Sequence, residues 1–228
     1  MIVLQDRDRK ILKLCYEQQF ILTEHSEWFF RGGSYQACCM RLGELVQNRY
    51  LKKDTSATIG KKTIYRLTSL GVETALESGA TAIASGGRLQ PANMVHDSIV
   101  TSVRQRLEEF WDAKFVCERA IKESEYRQIP DGIFFFPSGK GIAIEVENSD
   151  KGRSRFIRLM NRWKDVKQII LVLYVVTSDS LFHTIQRYLE QAPKEQPMGL
   201  VHWSALSTSK PKVWTPRGEI APFERRQF

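Results

Sequence analysis

Three carboxylates stand inside an apolar stretch of the chain, and they limit how that stretch can fold. Residues 129–148 read IPDGIFFFPSGKGIAIEVEN, which places Asp131, Glu145 and Glu147 among Ile, Phe and Val. A carboxylate within a buried strand is costly unless it is paired or bound to a cation. Any fold of this chain must therefore bring a cation or a basic partner to these acids.

The same stretch predicts two antiparallel strands, PDGIFFF and GIAIEVEN, joined by the turn PSGKG. Glu145 and Glu147 are two residues apart, so a strand directs both side chains to one face. Asp131 begins the preceding strand and can reach the same face. Oxygen ligands from adjacent strands suit Mg²⁺ or Mn²⁺. The three acids are therefore predicted to hold such a metal, which would activate water and stabilise charge on a phosphate.

The charge balance predicts a polyanionic partner. The 228 residues contain 34 Lys and Arg against 26 Asp and Glu, a formal net charge of +8. Nucleic acid and an anionic membrane surface both fit such a charge. No apolar run approaches the roughly 18 residues of a membrane span. The four cysteines have no metal-ligand spacing, which favours a cytoplasmic protein with reduced thiols.

A Gly-rich stretch without helical or strand periodicity, residues 79–93, is predicted to link two domains. Residues 1–78 predict a winged helix-turn-helix, because three helical segments precede two short strands around a Lys-containing loop. In such a domain the third helix enters the major groove and the hairpin, or wing, lies along the phosphates. The alternatives are a small helical domain with a solvated hairpin and a winged helix that binds protein.

The third helical segment has its apolar residues on one side. Gln36, Met40 and Gln47 point away from that side on a helical wheel. The residues predicted to contact DNA in this domain, on the third helix and the wing, are Gln36, Arg41, Lys52, Lys53, Lys61 and Lys62.

Residues 94–207 predict a mixed sheet flanked by helices, in the order α-β-β-β-α-β-α-β. Its first helix carries Val95 and Ile99 on an apolar face, and AKFVCERAI alternates as a strand does. A later helix has an arginine-rich side that is predicted to contact the DNA backbone through Arg153, Arg155, Arg158 and Arg162. Residues 208–228 are predicted to form an irregular basic tail.

PDG followed across a hairpin by EVE resembles the core of PD-(D/E)XK nucleases, a restriction-endonuclease-like fold. The position of the motif's lysine holds Glu147, and Lys151 follows four residues later. Together with the winged helix, VHDSIV and CER, the order of motifs over residues 5–177 resembles the plasmid replication-relaxation family, which includes the MobC-type (MOBC class) relaxases. That resemblance implies metal-dependent nicking of one strand of plasmid DNA at a transfer origin, with accessory relaxosome proteins as partners.

The resemblance also implies roles for single residues. His96 and Asp97 would lie where the first helix offers an acid to the site, and Glu118 would stand on the first strand. Asp131 and Glu145 would be the central ligands. The cluster would be completed by Glu147 and by Lys151, which would orient water or neutralise phosphate.

Two other functions fit the same residues. A non-enzymatic replication or transcription regulator would keep a degenerate nuclease fold for DNA binding or dimerisation, and Glu147 in place of the motif's lysine favours it. A restriction-type endonuclease would cut both strands. The choice between a covalent tyrosyl adduct and simple hydrolysis stays open, since no spacing marks a nucleophile, although Tyr126 is the tyrosine nearest the acids.

Overall fold

A computed structural model of the chain describes residues 2–30, 32–83, 89–122, 128–163, 166–191 and 197–221. The chain divides into two compact units, Met1–Ser102 and Val103–Phe228. The described residues form eight α-helices and two sheets, one of three strands and a mixed one of seven. The predicted mixture of helices and mixed sheet is therefore confirmed. No helix within these residues has both the length and the apolar character of a membrane span.

The first unit is built from short helices and one small sheet. Its elements are α1 (Asp6–Gln18), β1 (Ile21–Leu22), α2 (Thr23–Glu27), a 3₁₀ turn (Trp28–Phe30), α3 (Tyr35–Gln47), β2 (Leu51–Ile59), β3 (Lys62–Leu67) and α4 (Ser69–Glu77). β3 pairs antiparallel with β1 and with β2. Ser34 caps α3, since its hydroxyl accepts a hydrogen bond from the Ala37 N–H at 3.1 Å. A core that includes Ile11, Leu42 and Leu45 joins α1 to α3.

The described part of the predicted linker is packed against the first unit. Ile83 and Leu89 are buried, and Leu89 lies in a cluster with Phe20 and Ile64. α5 (Pro91–Leu107) follows, and its residues up to Ser102 belong to the first unit. The apolar face of this helix differs from the prediction, because Val95 is 51% exposed while Met94 is buried. Residues 84–88 of the predicted linker lie outside the described residues.

The second unit is a sheet of seven strands in the order β10-β9-β8-β7-β6-β5-β4. Its elements after α5 are β4 (Lys114–Cys117), α6 (Glu118–Lys122), β5 (Gly132–Phe135), β6 (Gly141–Glu147), α7 (Arg153–Arg162), β7 (Ile169–Val176), α8 (Asp179–Leu189), β8 (Met198–His202), a 3₁₀ turn (Trp203–Ser207), β9 (Val213–Thr215) and β10 (Gly218–Ile220). β7 runs parallel to β6 and to β8, and the other pairs are antiparallel.

Helices α7 and α8 cover the face of the sheet that carries Ala143 of β6 and Tyr174 of β7. Phe156 of α7, Trp163 directly after that helix and Leu181 of α8 belong to this core. Because side chains alternate along a strand, Glu145 and Glu147 project on the same face as Ala143. The apolar residues beside Glu145 and Glu147 were predicted to form a strand. They belong to β6, which is a central and largely buried strand of the sheet.

Two expectations about this unit are wrong. The strand predicted over AKFVCERAI ends at Cys117, and Glu118 begins the short helix α6. An ion pair of 2.7 Å between Glu118 and Lys122, one helical turn apart, accompanies that helix. The tail is not irregular over residues 213–220, because β9 and β10 form a hairpin that extends the sheet and buries Val213. Residues 222–228 of the tail lie outside the described residues.

Candidate acidic site of the second unit

Backbone hydrogen bonds hold Asp131 beside the end of β6. Its N–H donates to the Ile144 carbonyl at 3.1 Å, and its Oδ2 accepts from the Val146 N–H at 2.6 Å. Val146 separates Glu145 from Glu147, so the Asp131 carboxylate lies against the backbone that joins the two glutamates. The structure thus brings together the three acids that the hairpin pattern predicted to meet.

Gly132, the glycine of the PDG motif, allows a close approach at this point. A Cβ atom there would lie 2.2 Å from Cζ of Phe115, far inside van der Waals contact. The Phe115 ring belongs to β4, whose Cys117 pairs with Gly132 in the antiparallel register. The motif's glycine therefore lets β4 and its aromatic ring pack over the strand that Asp131 starts.

Glu145 has the most perturbed environment of the three acids. Burial is the main cause of the rise of its pKa well above the ordinary value of 4.5, and the charges of Asp131 and Glu147 add to it. Lys151 and a hydrogen bond with Gln128 act in the opposite direction. Its Oε1 atom is buried and has no hydrogen-bond partner among the described residues.

Glu147 and Lys151 form an ion pair within the site. Nζ of Lys151 lies 2.9 Å from Oε2 of Glu147, and the glutamate side chain is 3% exposed while that of the lysine is 31% exposed. The lysine therefore approaches a buried carboxylate from the solvent side. The positive charge of Lys151 also lowers the pKa of Glu145, so it acts on both glutamates.

The structure adds two polar residues that the sequence analysis missed. Tyr174 is the register partner of Glu145 on β7 and is 2% exposed. Burial, followed by the charges of Glu145 and Glu147, raises the pKa of Tyr174, so its hydroxyl keeps its proton and is a poor nucleophile. Gln128 is buried and bonds Glu145. The register of two parallel strands, which aligns Tyr174 with Glu145, has no signature in the sequence.

The donor atoms of the site suit a hard cation, although no three of its side chains form a ready-made cage. Among the described residues no group of three or more His, Cys, Asp or Glu is arranged to hold a metal ion. Mg²⁺ is usually held by only one or two carboxylates, with water and substrate phosphate completing its shell. The buried Oε1 of Glu145 is the atom that would gain a partner from such an ion. Asp131 and Glu145 are therefore the best-suited ligands, with Glu147 already engaged by Lys151.

The remaining predicted catalytic residues lie in other settings. His96 and Asp97 belong to α5 within the first unit, and their role beside the acids stays a prediction. Glu118 was expected on a strand but begins α6, where it pairs with Lys122 at the surface. Tyr126, the tyrosine nearest the acids in the sequence, lies outside the described residues.

Basic residues predicted to contact DNA are exposed in both units. On the first unit these are Lys52, Lys53, Lys61 and Lys62, of which Lys62 pairs with Glu24 at 2.8 Å. On α7 they are Arg153, Arg155, Arg158 and Arg162. Arg153 bonds Gln191, while the other three arginines share one side of the helix, with no acidic residue in α7.

Arg41 of α3 has structural partners instead of a solvent-facing guanidinium. Its Nε and Nη2 bond the two Asp8 oxygens at 3.0 and 2.6 Å, and Nη1 bonds Glu44 at 2.5 Å. Nη2 also donates to the Val3 carbonyl at 2.8 Å. These contacts tie α3 to α1 and to the N-terminal segment, so DNA contact by Arg41 would require their loss.

Comparison of the chain with protein-family models, with curated proteins and with solved structures finds no match. The resemblance to the plasmid replication-relaxation family consequently stays a prediction from the order of the motifs. A function for this chain has to be argued from its own residues, and the acidic cluster with its lysine is the feature with the clearest chemistry.

Proposed function

We propose that this protein binds double-stranded DNA and nicks one strand, in a reaction that uses Mg²⁺ or Mn²⁺. The observation that carries the proposal is the 2.6 Å hydrogen bond from the Val146 N–H to Oδ2 of Asp131. It brings a third carboxylate to the strand segment that holds Glu145 and Glu147. The charges of Asp131 and Glu147 add to the rise in the pKa of Glu145, and carboxyl groups perturbed by burial and by neighbouring charges cluster at functional sites.

Each residue of the site has a distinct task in this reaction. Asp131, oriented by the backbone of β6, and Glu145, with its unpartnered Oε1, would hold the ion. A bound divalent ion supplies an activated water and neutralises charge on the scissile phosphate. Lys151 adds a positive charge at the solvent side, where a phosphate would arrive, and Glu147 holds the lysine there. Tyr174 stays protonated beside Glu145, so it is assigned no nucleophilic role.

The DNA-binding part of the proposal rests on the order of elements in the first unit. Three helices followed by the β2–β3 hairpin match the plan of a winged helix-turn-helix. Residues 49–67, which include the hairpin, contain six basic residues and one acidic residue. Such a charge suits the phosphate backbone, which supplies most of the non-specific affinity for DNA. Together with the order of motifs, it supports a plasmid mobilisation relaxase acting at a transfer origin with accessory proteins.

Nicking of supercoiled plasmid carrying the transfer region of the source replicon tests this function. We expect open circles with Mg²⁺ or Mn²⁺ and intact supercoils with EDTA. Asp131→Ala and Glu145→Ala should abolish the product, whereas Glu219→Ala, which alters an exposed carboxylate of β10, should leave it unchanged. Linear product would indicate cleavage of both strands, and equal nicking by wild type and both site variants would refute the proposal. Protease treatment before electrophoresis reveals any covalent protein–DNA adduct.

A non-enzymatic regulator is the second candidate. It is favoured by the ion pair that neutralises Lys151 and by the lack of a three-ligand group among the described residues. Calorimetric titration with Mn²⁺ separates the two candidates. Binding by the wild type that is lost in Glu145→Ala supports the nickase, and absence of binding alongside sequence-specific DNA affinity supports the regulator.

A further inference from the structure

Helix α3 presents to solvent a stripe of uncharged residues, bordered by Glu44, whose side chain is 45% exposed and paired with Arg41. Gln36, Met40, Gly43 and Gln47 are spaced by four, three and four residues, so they lie along one side of the helix. Gln36 and Gln47 are exposed, and Met40 is 63% exposed. The opposite side is buried in the core of the unit through Cys38, Leu42 and Leu45. Met40 is therefore an apolar side chain exposed between two glutamines on the solvent side of the helix.

The one basic residue of this helix does not contribute to the stripe. Arg41 is bonded through its Nε and both Nη atoms to Asp8, Glu44 and the Val3 carbonyl. Arginine and lysine are the side chains that most often read guanine, through its O6 and N7 atoms. With Arg41 engaged by the protein, α3 offers no cation for that contact.

Gly43 lies in the middle of the stripe, where the fold does not need a glycine. A Cβ at this position would have no atom within 4 Å beyond its own helix and chain neighbours. Glycine inside a helix destabilises it by about 0.5–1 kcal/mol relative to alanine. The missing side chain leaves the helix backbone open to close approach by another molecule.

The charges around the stripe indicate what that molecule is. The hairpin that follows α3 exposes Lys52, Lys53 and Lys61, and Arg49, just beyond the end of the helix, is also exposed. Cations beside an uncharged helix face match the chemistry of duplex DNA, whose phosphates flank base edges. These cations would contribute nothing to the binding of an apolar protein partner.

We infer that α3 reads A·T base pairs in the major groove. Gln36 donates to and accepts from the N7 and N6 edge of adenine, and Met40 contacts the C5 methyl group of thymine. Gly43 lets the helix approach the bases closely, while the lysines of the hairpin hold the phosphates. This inference rests on the DNA-binding part of the proposed function and adds to it the class of base pair that is read.

Selection from a randomised duplex library tests the inference. The full-length protein is used at about 150 mM salt in EDTA, so that the DNA is bound and not cut. We expect the enriched duplexes to share a core of A·T pairs. Replacing the core thymines by uracil, which removes only the methyl groups, should weaken wild-type binding roughly fivefold and Met40→Ala binding hardly at all. Gln36→Ala should lose preference at one adenine, whereas Lys52→Ala should weaken all duplexes alike.

Gly43→Ala gives a second readout, because its effects on stability and binding have opposite signs. The thermal midpoint should rise by a few degrees, and affinity for the selected duplex should fall roughly tenfold or more. If Gly43→Ala binds the selected duplex as tightly as wild type does, the helix does not approach the bases closely at Gly43. A G·C core, or no effect of uracil in the wild type, overturns A·T readout while DNA binding and nicking stand. Absence of DNA binding would overturn this inference together with the DNA-binding part of the proposed function.

Discussion

Nζ of Lys151 lies 2.9 Å from Oε2 of Glu147, the residue at the position where the predicted nuclease-like motif would have its lysine. Lys151, four residues further along the chain, thus supplies a positive charge to the site. Because the Glu147 side chain is only 3% exposed, the ion pair also offsets the cost of a buried carboxylate. One contact therefore has a structural consequence and, in the proposed reaction, a catalytic one, and the two can be separated.

Lys151→Met is expected to reduce nicking by about a hundredfold, the scale of removing one electrostatic contact to the transition state. It should also lower the free energy of unfolding by about 1–2 kcal/mol, because Glu147 loses its cation but Lys151 is partly exposed. Adding Glu147→Gln should restore stability and leave nicking impaired. Lys151→Arg, which keeps the charge, is the matched control. Full nicking activity in Lys151→Met would remove the lysine from the mechanism.

The raised pKa of Glu145 predicts a specific dependence of stability on pH. Between the ordinary value of 4.5 and the raised value, the folded protein binds more protons at Glu145 than the unfolded chain does. The free energy of unfolding must then fall as pH rises through this window. Glu145→Gln has no carboxyl group to ionise and so avoids this loss of stability. In EDTA, its thermal midpoint should exceed that of wild type by a margin that grows as pH rises from 4.5. Parallel curves for the two proteins would contradict the raised pKa.

A divalent ion at the acids should reverse this effect in the wild type. An ion that binds only the folded state stabilises it by about 2.7 kcal/mol at a hundred times its Kd. We expect Mn²⁺ at pH 8 to raise the thermal midpoint of wild type and to leave that of Glu145→Gln nearly unchanged. Asp131→Asn should show an intermediate response. Equal shifts in all three proteins would indicate binding elsewhere.

A substitution at Gly132 tests the packing of the Phe115 ring against β5 beside the acidic site. Gly132→Ala places a methyl group 2.2 Å from Cζ of Phe115, and overpacking of this kind costs about 1–3 kcal/mol. Urea unfolding should show this loss. Gly132→Ala combined with Phe115→Leu should recover part of it, because the smaller side chain yields space. Full stability of Gly132→Ala would mean that β4 moves away from β5 at no cost.

Sequence patterns were sufficient for the elements that carry strong periodicity. The hairpin PDGIFFF–GIAIEVEN forms β5 and β6, and the apolar run QIILVLYVV forms the central strand β7. The meeting of Asp131 with Glu145 and Glu147 followed from alternation along a strand and from the reach of a tight hairpin. These are local relationships, which a single sequence records.

What the sequence analysis missed depends on contacts between distant segments. Tyr174 lies beside Glu145 because two parallel strands pair in a particular register, and Arg41 is drawn away from the helix surface by Asp8. Glu118 follows a strand of only four residues, too short for alternation to mark its end. The hairpin of β9 and β10 has two strands of three residues each, and its short runs carry no recognisable period.

The initial rate of plasmid nicking by Asp131→Asn, measured beside its affinity for the same DNA, tests the central claim most directly. The substitution removes the charge of the carboxylate that accepts the Val146 N–H but preserves its size. We predict that the variant binds DNA with an unchanged Kd and nicks it at least a hundredfold more slowly than wild type with Mg²⁺ or Mn²⁺. Nicking at the wild-type rate would contradict a catalytic role for the acidic site.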